Sequence, residues 1–76
     1  MDDREFGRRF HAARVYRGKT QAEVADLLGL DQRSVSRIER GERDLRISEA
    51  HTLCQKLDLP VSWFLADDIF AAVSGP

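Results

Sequence analysis

Residues 20–43 read TQAEVADLLGLDQRSVSRIERGER and contain two short apolar patterns with helical spacing. Thr20 followed three residues later by Glu23 is a capping-box pattern, which starts a helix. Gly29 suits the end of that helix, because glycine adopts the left-handed conformation without a Cβ penalty. Asp31 is a good N-cap for the next helix. This stretch therefore predicts two consecutive short helices joined by a tight turn that contains glycine.

The two predicted helices share one apolar side, and the second helix keeps a polar side facing outward. Ala25 is small at the point where the helices are expected to cross. Two short helices joined by a glycine-containing turn are the mark of a helix-turn-helix motif. The outward side of the second helix contains Arg and Gln, which are side chains that can read bases. Arg can bridge O6 and N7 of guanine, and Gln can bridge N6 and N7 of adenine. The apolar side comprises Val24, Ala25, Leu28, Leu30, Val35 and Ile38, and the outward side of the second helix carries Gln32, Arg33, Ser36, Arg37 and Arg40.

The two helices of the motif are the second and third of the chain. Flanking patterns predict three further helices, the first, fourth and fifth, so that the expected fold is all-α with five helices. The first helix runs from about Asp3 to about Arg17 and ends at Gly18. The third runs from Gln32 to about Arg40 and ends at Gly41. The fourth starts at Ser48 as N-cap, and Pro60 opens the fifth. The expected inward residues of the first, fourth and fifth helices are Phe6, Phe10, Ala13, Ala50, Leu53, Cys54, Leu57, Val61, Phe64 and Leu65.

The length of 76 residues fits one domain, with a core of about residues 4–66 and a C-terminal extension over 67–76. Within it, residues 67–73 either lengthen the fifth helix or form a sixth. The net charge is -1, but it is unevenly distributed. Residues 1–46 hold 11 Lys or Arg and 9 Asp or Glu, whereas residues 47–76 hold one Lys and 4 acids. A polyanion would therefore meet the first two thirds of the chain.

Several classes of protein are not expected from this composition. No apolar run approaches the ~20 residues that span a bilayer, and the start lacks the apolar region of a signal peptide. The single cysteine allows no internal disulfide, so a reducing, cytoplasmic location is expected. His51 and Cys54 lie three residues apart, but a surface His and a buried Cys are a better interpretation than half a metal site. No nucleophile motif is present, and neither an enzyme nor a cofactor is expected.

Three segments carry a resemblance to a known family. They are FGRRFHAAR (6–14), TQAEVADLLGLDQRSVSRIERGER (20–43) and LCQKLDLPVSWFL (53–65). Together they resemble the phage-repressor/Cro-type (XRE, lambda-repressor-like) helix-turn-helix family over roughly residues 4–66. The resemblance implies a compact five-helix bundle whose third helix enters the major groove of double-stranded DNA, commonly as a dimer in a prokaryotic or phage setting.

The resemblance also implies roles for individual residues. Glu39 is expected to form an ion pair with Arg14 of the first helix rather than to contact a base. The expected base-reading residues are Gln32, Arg33, Ser36 and Arg37. The expected contacts to the DNA backbone are Gln21, Arg17, Lys19, Arg40, Arg43 and Arg46.

The C-terminal end of the chain is unusually apolar and aromatic, which suggests self-association. A two-fold dimer would place two reading helices about 34 Å apart on a near-palindromic site. The expected function is that of a sequence-specific transcriptional regulator, in the first instance a repressor. Two alternatives stay open: an antitoxin that binds DNA and a partner protein, and a protein-binding module that has lost DNA affinity. The predicted dimer residues are Trp63, Phe64, Ile69, Phe70 and Val73.

Overall fold

Five helices make up the part of the chain that the structure describes. A computed structural model describes residues 3–65, with Leu65 described in its backbone alone. Within this range all regular secondary structure is helical, as the sequence predicted. The helices are α1 (Asp3–Tyr16), α2 (Gln21–Leu28), α3 (Gln32–Glu39), α4 (Ile47–Leu57) and α5 (Ser62–Leu65). The sequence prediction for residues 67–73 lies outside the described residues.

A single apolar core lies between the helices. Most of the residues expected to face inward are buried, and α1, α2, α3 and α4 all contribute to the core. Full burial of a large apolar side chain stabilises the fold by about 1.5–3 kcal/mol, so this cluster is the main source of stability. The buried apolar residues are Phe10, Ala13, Val24, Ala25, Val35, Ile38, Leu53, Cys54, Leu57, Trp63 and Phe64.

Helices α1 and α3 cross at Gly7, a close approach that the sequence did not reveal. Gly7 is buried. A Cβ atom built on it would lie 2.4 Å from the carbonyl oxygen of Ile38 and 3.0 Å from that of Glu39. The absence of a side chain therefore lets the backbone of α3 lie directly against α1.

The helix-turn-helix turn has the geometry that the sequence predicted. Thr20 and Glu23 form both hydrogen bonds of the capping box at the start of α2. Gly29 ends α2 in the left-handed region, with φ 68°. The backbone N–H of Leu30 then donates to the carbonyl of Ala25 (2.9 Å), which fixes the direction in which the chain enters α3.

Two predictions at the ends of helices were wrong. Helix α4 begins at Ile47 with Arg46 as N-cap, not with Ser48. The reason is that Glu49 Oε1 accepts the backbone N–H of Arg46 at 3.0 Å, which supplies half of a capping box two residues earlier. Val61 was expected to pack inward, but it is 48% exposed, because it lies in the turn before α5.

Arg9 is a cation that lies buried in the bundle. Its guanidinium contacts Glu5 (3.2 Å) and donates to the carbonyl of Trp63 (3.4 Å). In return, the indole N–H of Trp63 donates to the carbonyl of Arg9 at 2.9 Å. Arg9 therefore attaches α5 to α1, and its charge stays in the interior because it is paired and hydrogen-bonded.

Candidate nucleic-acid interface

Helix α3 separates an apolar inner side from a polar outer side. Val35 and Ile38 are completely buried and hold the helix against α1 and α2. The four side chains expected to read bases lie on the other side and form one surface, here called the reading face. In it Gln32, Arg33 and Arg37 are exposed and Ser36 is half-buried.

The start of α3 is fixed by Asp31. Its carboxylate accepts the backbone N–H of Ser34 at 2.7 Å. That hydrogen bond holds the pKa of Asp31 below its ordinary value, with smaller contributions from nearby arginines. Asp31 is therefore ionised and committed to the cap at neutral pH, and its side chain is aimed at the helix backbone.

Glu39 is the centre of a polar cluster that joins three helices. Arg14 binds its carboxylate in bidentate fashion, at 2.7 Å and 3.0 Å. His11 Nδ1 lies 2.8 Å from Glu39 Oε1, and the side-chain amide of Gln21 donates to the same oxygen at 3.2 Å. The Glu39 side chain is only 7% exposed. The acid is therefore turned into the protein and is not part of the reading face.

The pKa of Glu39 reflects two opposing effects. Burial is the largest and raises its pKa, because a low-dielectric surrounding disfavours the charged form. The hydrogen bonds from Arg14, His11 and Gln21 together outweigh burial, so the pKa of Glu39 lies below its ordinary value. The same pairing raises the pKa of Arg14. The pair is consequently fully charged at neutral pH.

A second cluster lies at the C-terminal end of the reading face. Arg40 donates to both carboxylate oxygens of Glu42, at 3.0 Å and 3.2 Å, and to the hydroxyl of Ser36 at 2.7 Å. Arg37 donates to the carbonyl of Glu42 at 3.3 Å. The hydrogen bond from Arg40 lowers the pKa of Glu42. Arg40, expected to contact the DNA backbone, is thus held within the protein by an acid that sequence reasoning did not single out.

The two clusters border the same surface cleft. It has a volume of about 630 Å³ and lies between α1, the start of α2 and α3. Its lining residues are Arg8, His11, Gln21, Ser36, Glu39 and Arg40. The reading face therefore continues into a depression bordered by polar and charged side chains of both signs.

The loop after α3 holds Arg43 and Arg46, which were expected to approach the DNA backbone. The guanidinium of Arg43 binds Glu49 in bidentate fashion, with both contacts at 3.0 Å. Its side chain is only 23% exposed, and the hydrogen bonds that it donates to Glu49 raise the pKa of Arg43. Arg43 thus ties the loop to α4, whereas the residue Arg46 is exposed.

Arg17 and Lys19 flank the turn between α1 and α2. The guanidinium of Arg17 donates to the carbonyls of Leu57 (2.8 Å) and Asp58 (2.9 Å), at the end of α4. It also lies over the ring of Tyr16, 5.0 Å from the centroid. Arg17 is thereby engaged with α4 and aromatic surface. Lys19 is exposed, and its carbonyl accepts from Arg14 at 2.9 Å.

The predicted dimer residues need a correction. Trp63 and Phe64 are 3% and 1% exposed, because they close the core against α1. The ring of Trp63 lies 5.7 Å from that of Tyr16, and the ring of Phe64 lies 6.3 Å from that of Phe6. Neither residue offers a surface for a second copy. The other three predicted members, Ile69, Phe70 and Val73, lie outside the described residues.

The remaining polar residues show no metal-binding arrangement within the described part of the chain, residues 3–65. Cys54 is buried, and burial raises the pKa of its thiol. His51 is exposed, so both residues are placed as expected. Among the helices of residues 3–65, none has the length and apolarity needed to cross a membrane.

Sequence reasoning missed the burial of Arg9. It also missed Glu42 and Glu49 as the ion-pair partners of Arg40 and Arg43. Two of the missed pairs, Arg43 with Glu49 and Arg40 with Glu42, join residues that no helical repeat relates. One signal was available: Glu49 follows Arg46 by three residues, which is the spacing of a capping box. The burial of Arg9 had no such signal, because its partners come from α1 itself and from α5.

A five-helix bundle in which α2 and α3 form a helix-turn-helix, with a polar outer face on α3, is the architecture of a DNA-binding regulator domain. A family model described as "Helix-turn-helix domain" matches residues 5–62. The chain belongs to this helix-turn-helix family, and its structural relatives are regulators of the XRE, Cro/lambda-repressor-like type.

Solved structures of similar fold include regulators of this type. The restriction-modification controller protein C.AhdI from Aeromonas hydrophila is 30% identical, with a TM-score of 0.74 over 83% of this chain and 96% of that chain. An HTH_3 family transcriptional regulator from Vibrio cholerae is 26% identical, with a TM-score of 0.74 over 87% and 37% of the two chains. A chain of the SinR protein/SinI protein complex is 25% identical, with a TM-score of 0.70 over 83% and 62%. No curated protein sequence matches significantly.

Proposed function

We propose that this chain is a sequence-specific double-stranded DNA-binding transcriptional repressor that reads the major groove with α3. The observation that carries the proposal is the reading face, where Gln32, Arg33, Ser36 and Arg37 point away from the core. Exposed Arg and Gln at the start of a recognition helix favour a half-site that contains guanine and adenine. Such a regulator works in the cytoplasm of a prokaryotic cell, at its DNA.

Phosphate contacts then set the position of α3 on the duplex. The side-chain amide of Gln21 has two N–H groups. One of them donates to the carboxylate of Glu39, so the other can donate to a phosphate. Lys19 and Arg46 are the exposed cations that best suit the same role. Arg17, Arg40 and Arg43, also expected to contact the DNA backbone, donate their hydrogen bonds to other groups of the protein and contribute less.

Glu39 supports this function although it is an acid beside the reading face. An unpaired carboxylate there would repel phosphates. Arg14 neutralises it inside the bundle, so its negative charge costs little affinity. The chain's net charge of -1 is thus a poor guide to its binding, because several of its acids serve as caps or ion-pair partners.

Few exposed cations remain near the reading face, so a single copy should bind weakly, and we propose that the protein acts as a homodimer. Ile47 and Val61 support a self-association surface, since they are 87% and 48% exposed. They line an apolar groove together with Phe6, Leu45 and Ala50. Phe64 also borders this groove but is only 1% exposed, so Ile47 and Val61 take the place of Trp63 and Phe64 as the proposed contacts.

Dimerisation is tested by sedimentation of Ile47→Glu beside the control Val15→Glu. Val15 is also exposed (55%) but lies on α1, away from the groove. The proposal expects a dimer for the native chain and the control, and a monomer for Ile47→Glu. A native chain that stays monomeric at high concentration would disprove self-association.

Selection of bound duplexes from a random library tests the function itself. The expected product is a near-palindrome whose half-sites lie about one helical turn apart, with affinity that falls steeply as salt rises. Arg37→Ala should lose about 1–3 kcal/mol on the selected site and relax the choice of one base pair. Equal losses on selected and random DNA would remove Arg37 from the base-reading set.

A second candidate is a regulator that also binds a partner protein, as in an antitoxin. Two observations favour it: the exposed apolar groove around Ile47, and the likeness to a chain of a protein–protein complex. Affinity purification from the native cell distinguishes the two candidates. A stable partner that is lost with Ile47→Glu, from a chain that is monomeric by itself, supports the second candidate. A protein-binding module without DNA affinity would select no duplex at all.

A further inference from the structure

Ser36 lies within the reading face, and its hydroxyl is held by the neighbouring cluster. Arg40 donates to Ser36 Oγ at 2.7 Å. A serine hydroxyl has one O–H donor and two acceptor lone pairs, whereas the guanidinium of Arg is a donor alone. Because Ser36 accepts from Arg40, its own proton stays available for another partner. The contact therefore biases Ser36 to act as a donor.

Glu42 keeps Arg40 in that position. It holds two nitrogens of the guanidinium at 3.0 Å and 3.2 Å. Two features set the position of the Glu42 backbone. One is the turn at Gly41, which has φ 73°, and the other is the backbone N–H of Glu42, which donates to the carbonyl of Arg37 at 2.8 Å. A Cβ on Gly41 would come within 2.9 Å of Arg4 Cα, so this turn is also confined by α1. The turn thus fixes the backbone of Glu42, and its side chain meets that of Arg40 at the surface, where they are 55% and 56% exposed.

We propose that Glu42 and Arg40 are positioning residues that fix Ser36 as a hydrogen-bond donor toward the base it faces. In the major groove, guanine, adenine and thymine each offer an acceptor, whereas cytosine offers the N4 amino donor. A fixed donor at Ser36 therefore rejects cytosine at one position of the site. This inference rests on the proposed function, and it gives Arg40 a role in specificity in place of a phosphate contact.

A phosphate contact by Arg40 would behave differently. A phosphate contact strengthens binding to all sequences alike and steepens the dependence of affinity on salt, so its loss weakens all sequences alike and flattens that dependence. A positioning role acts on one base pair, through Ser36. The two roles are separated by measuring base preference position by position, together with the salt slope on a fixed duplex.

The experiment selects duplexes from a random library with the native chain and with Ser36→Ala, Ser36→Thr and Glu42→Ala. Asp26→Ala is the matched control, because it removes an exposed acid of the same charge from α2. Ser36→Ala and Glu42→Ala should both lose a preference of about fivefold, the worth of one hydrogen bond, at the same base pair. Ser36→Thr keeps the hydroxyl and should keep the preference, as should Asp26→Ala.

Two results would overturn the inference. One is a Glu42→Ala variant that retains the preference which Ser36→Ala loses. The other is a Glu42→Ala variant with unchanged selectivity at every position, whose affinity for all sequences rises more than that of Asp26→Ala. In that case Glu42 would act only by repelling DNA through its negative charge. If the native chain selects no sequence, the proposed function fails, and the inference with it. If the native chain selects a site and Glu42→Ala keeps every base preference of the native chain, the inference alone fails.

Discussion

Substitution of Gly7 by alanine tests the packing that holds the reading helix in place. The added Cβ would lie 2.4 Å from the carbonyl oxygen of Ile38, where an ordinary C···O contact is about 3.4 Å. Relief requires α1 and α3 to separate by about 1 Å, because both partners are backbone and no side chain can rotate away. The clash therefore cannot be absorbed locally.

The expected magnitude follows from two opposing effects. Overpacking of a tight interior costs about 1–3 kcal/mol, and the upper end applies where the obstacle is backbone. Alanine is the better helix former than glycine by about 1 kcal/mol, which offsets part of the cost. We expect Gly7→Ala to lower the free energy of unfolding by about 2 kcal/mol and the Tm by about 8–16 °C.

Thermal and urea unfolding followed by far-ultraviolet circular dichroism measure this effect, and the fluorescence of the buried Trp63 gives a second probe. Gly18→Ala is the matched control: a Cβ there meets nothing within 4 Å, and the cost is that of its positive φ alone, about 1 kcal/mol. A Gly7→Ala variant as stable as the native chain would refute the close crossing of α1 and α3. A loss no greater than that of Gly18→Ala would refute the assigned steric cause.

Three further predictions concern ion pairs and a helix end. Glu39→Gln should lower the free energy of unfolding by about 2 kcal/mol at pH 7. The pKa of Glu39 in the folded protein lies below its ordinary value of 4.5. The destabilisation is therefore complete above pH 4.5 and shrinks as pH falls through the folded pKa. Urea unfolding at several pH values measures it, and a pH-independent loss would contradict it. Arg43→Ala should lower the Tm, whereas Arg46→Ala should leave it unchanged and flatten the salt slope of DNA binding by about one unit; the opposite pattern would reverse their roles. Asp58→Gly should raise stability by about 0.5 kcal/mol, because Asp58 ends α4 at φ 55°, and a lower Tm would contradict this.

Much of the fold follows from local chemistry that can be read along the chain. The capping box at Thr20, the cap at Asp31 and the glycine at position 29 act within a few residues of themselves. Each depends on side chains or backbone freedom that the sequence states directly. The division of α3 into an apolar and a polar side is equally local, because helical periodicity determines which residues share a side.

The errors arose where a residue's partner comes from elsewhere in the fold. Arg43 was assigned to phosphate from its place in a charged loop, but Glu49 binds it because the loop folds back on α4. Trp63 was assigned to an interface because it is apolar and near the C-terminus, but α1 buries it. A cation or an aromatic ring has several suitable environments, and the sequence alone does not choose among them.

By itself, the sequence determined that this chain is all-α, that it contains a helix-turn-helix, and which residues of α3 face outward. These properties depend on caps, turns and periodicity, whose interactions span at most about two helical turns. The tertiary structure alone decided the crossing at Gly7, the burial of Arg9, and which cations are bound within the protein. It did so because packing brings distant residues together, and an ion pair forms with whichever opposite charge the packed helices place within reach.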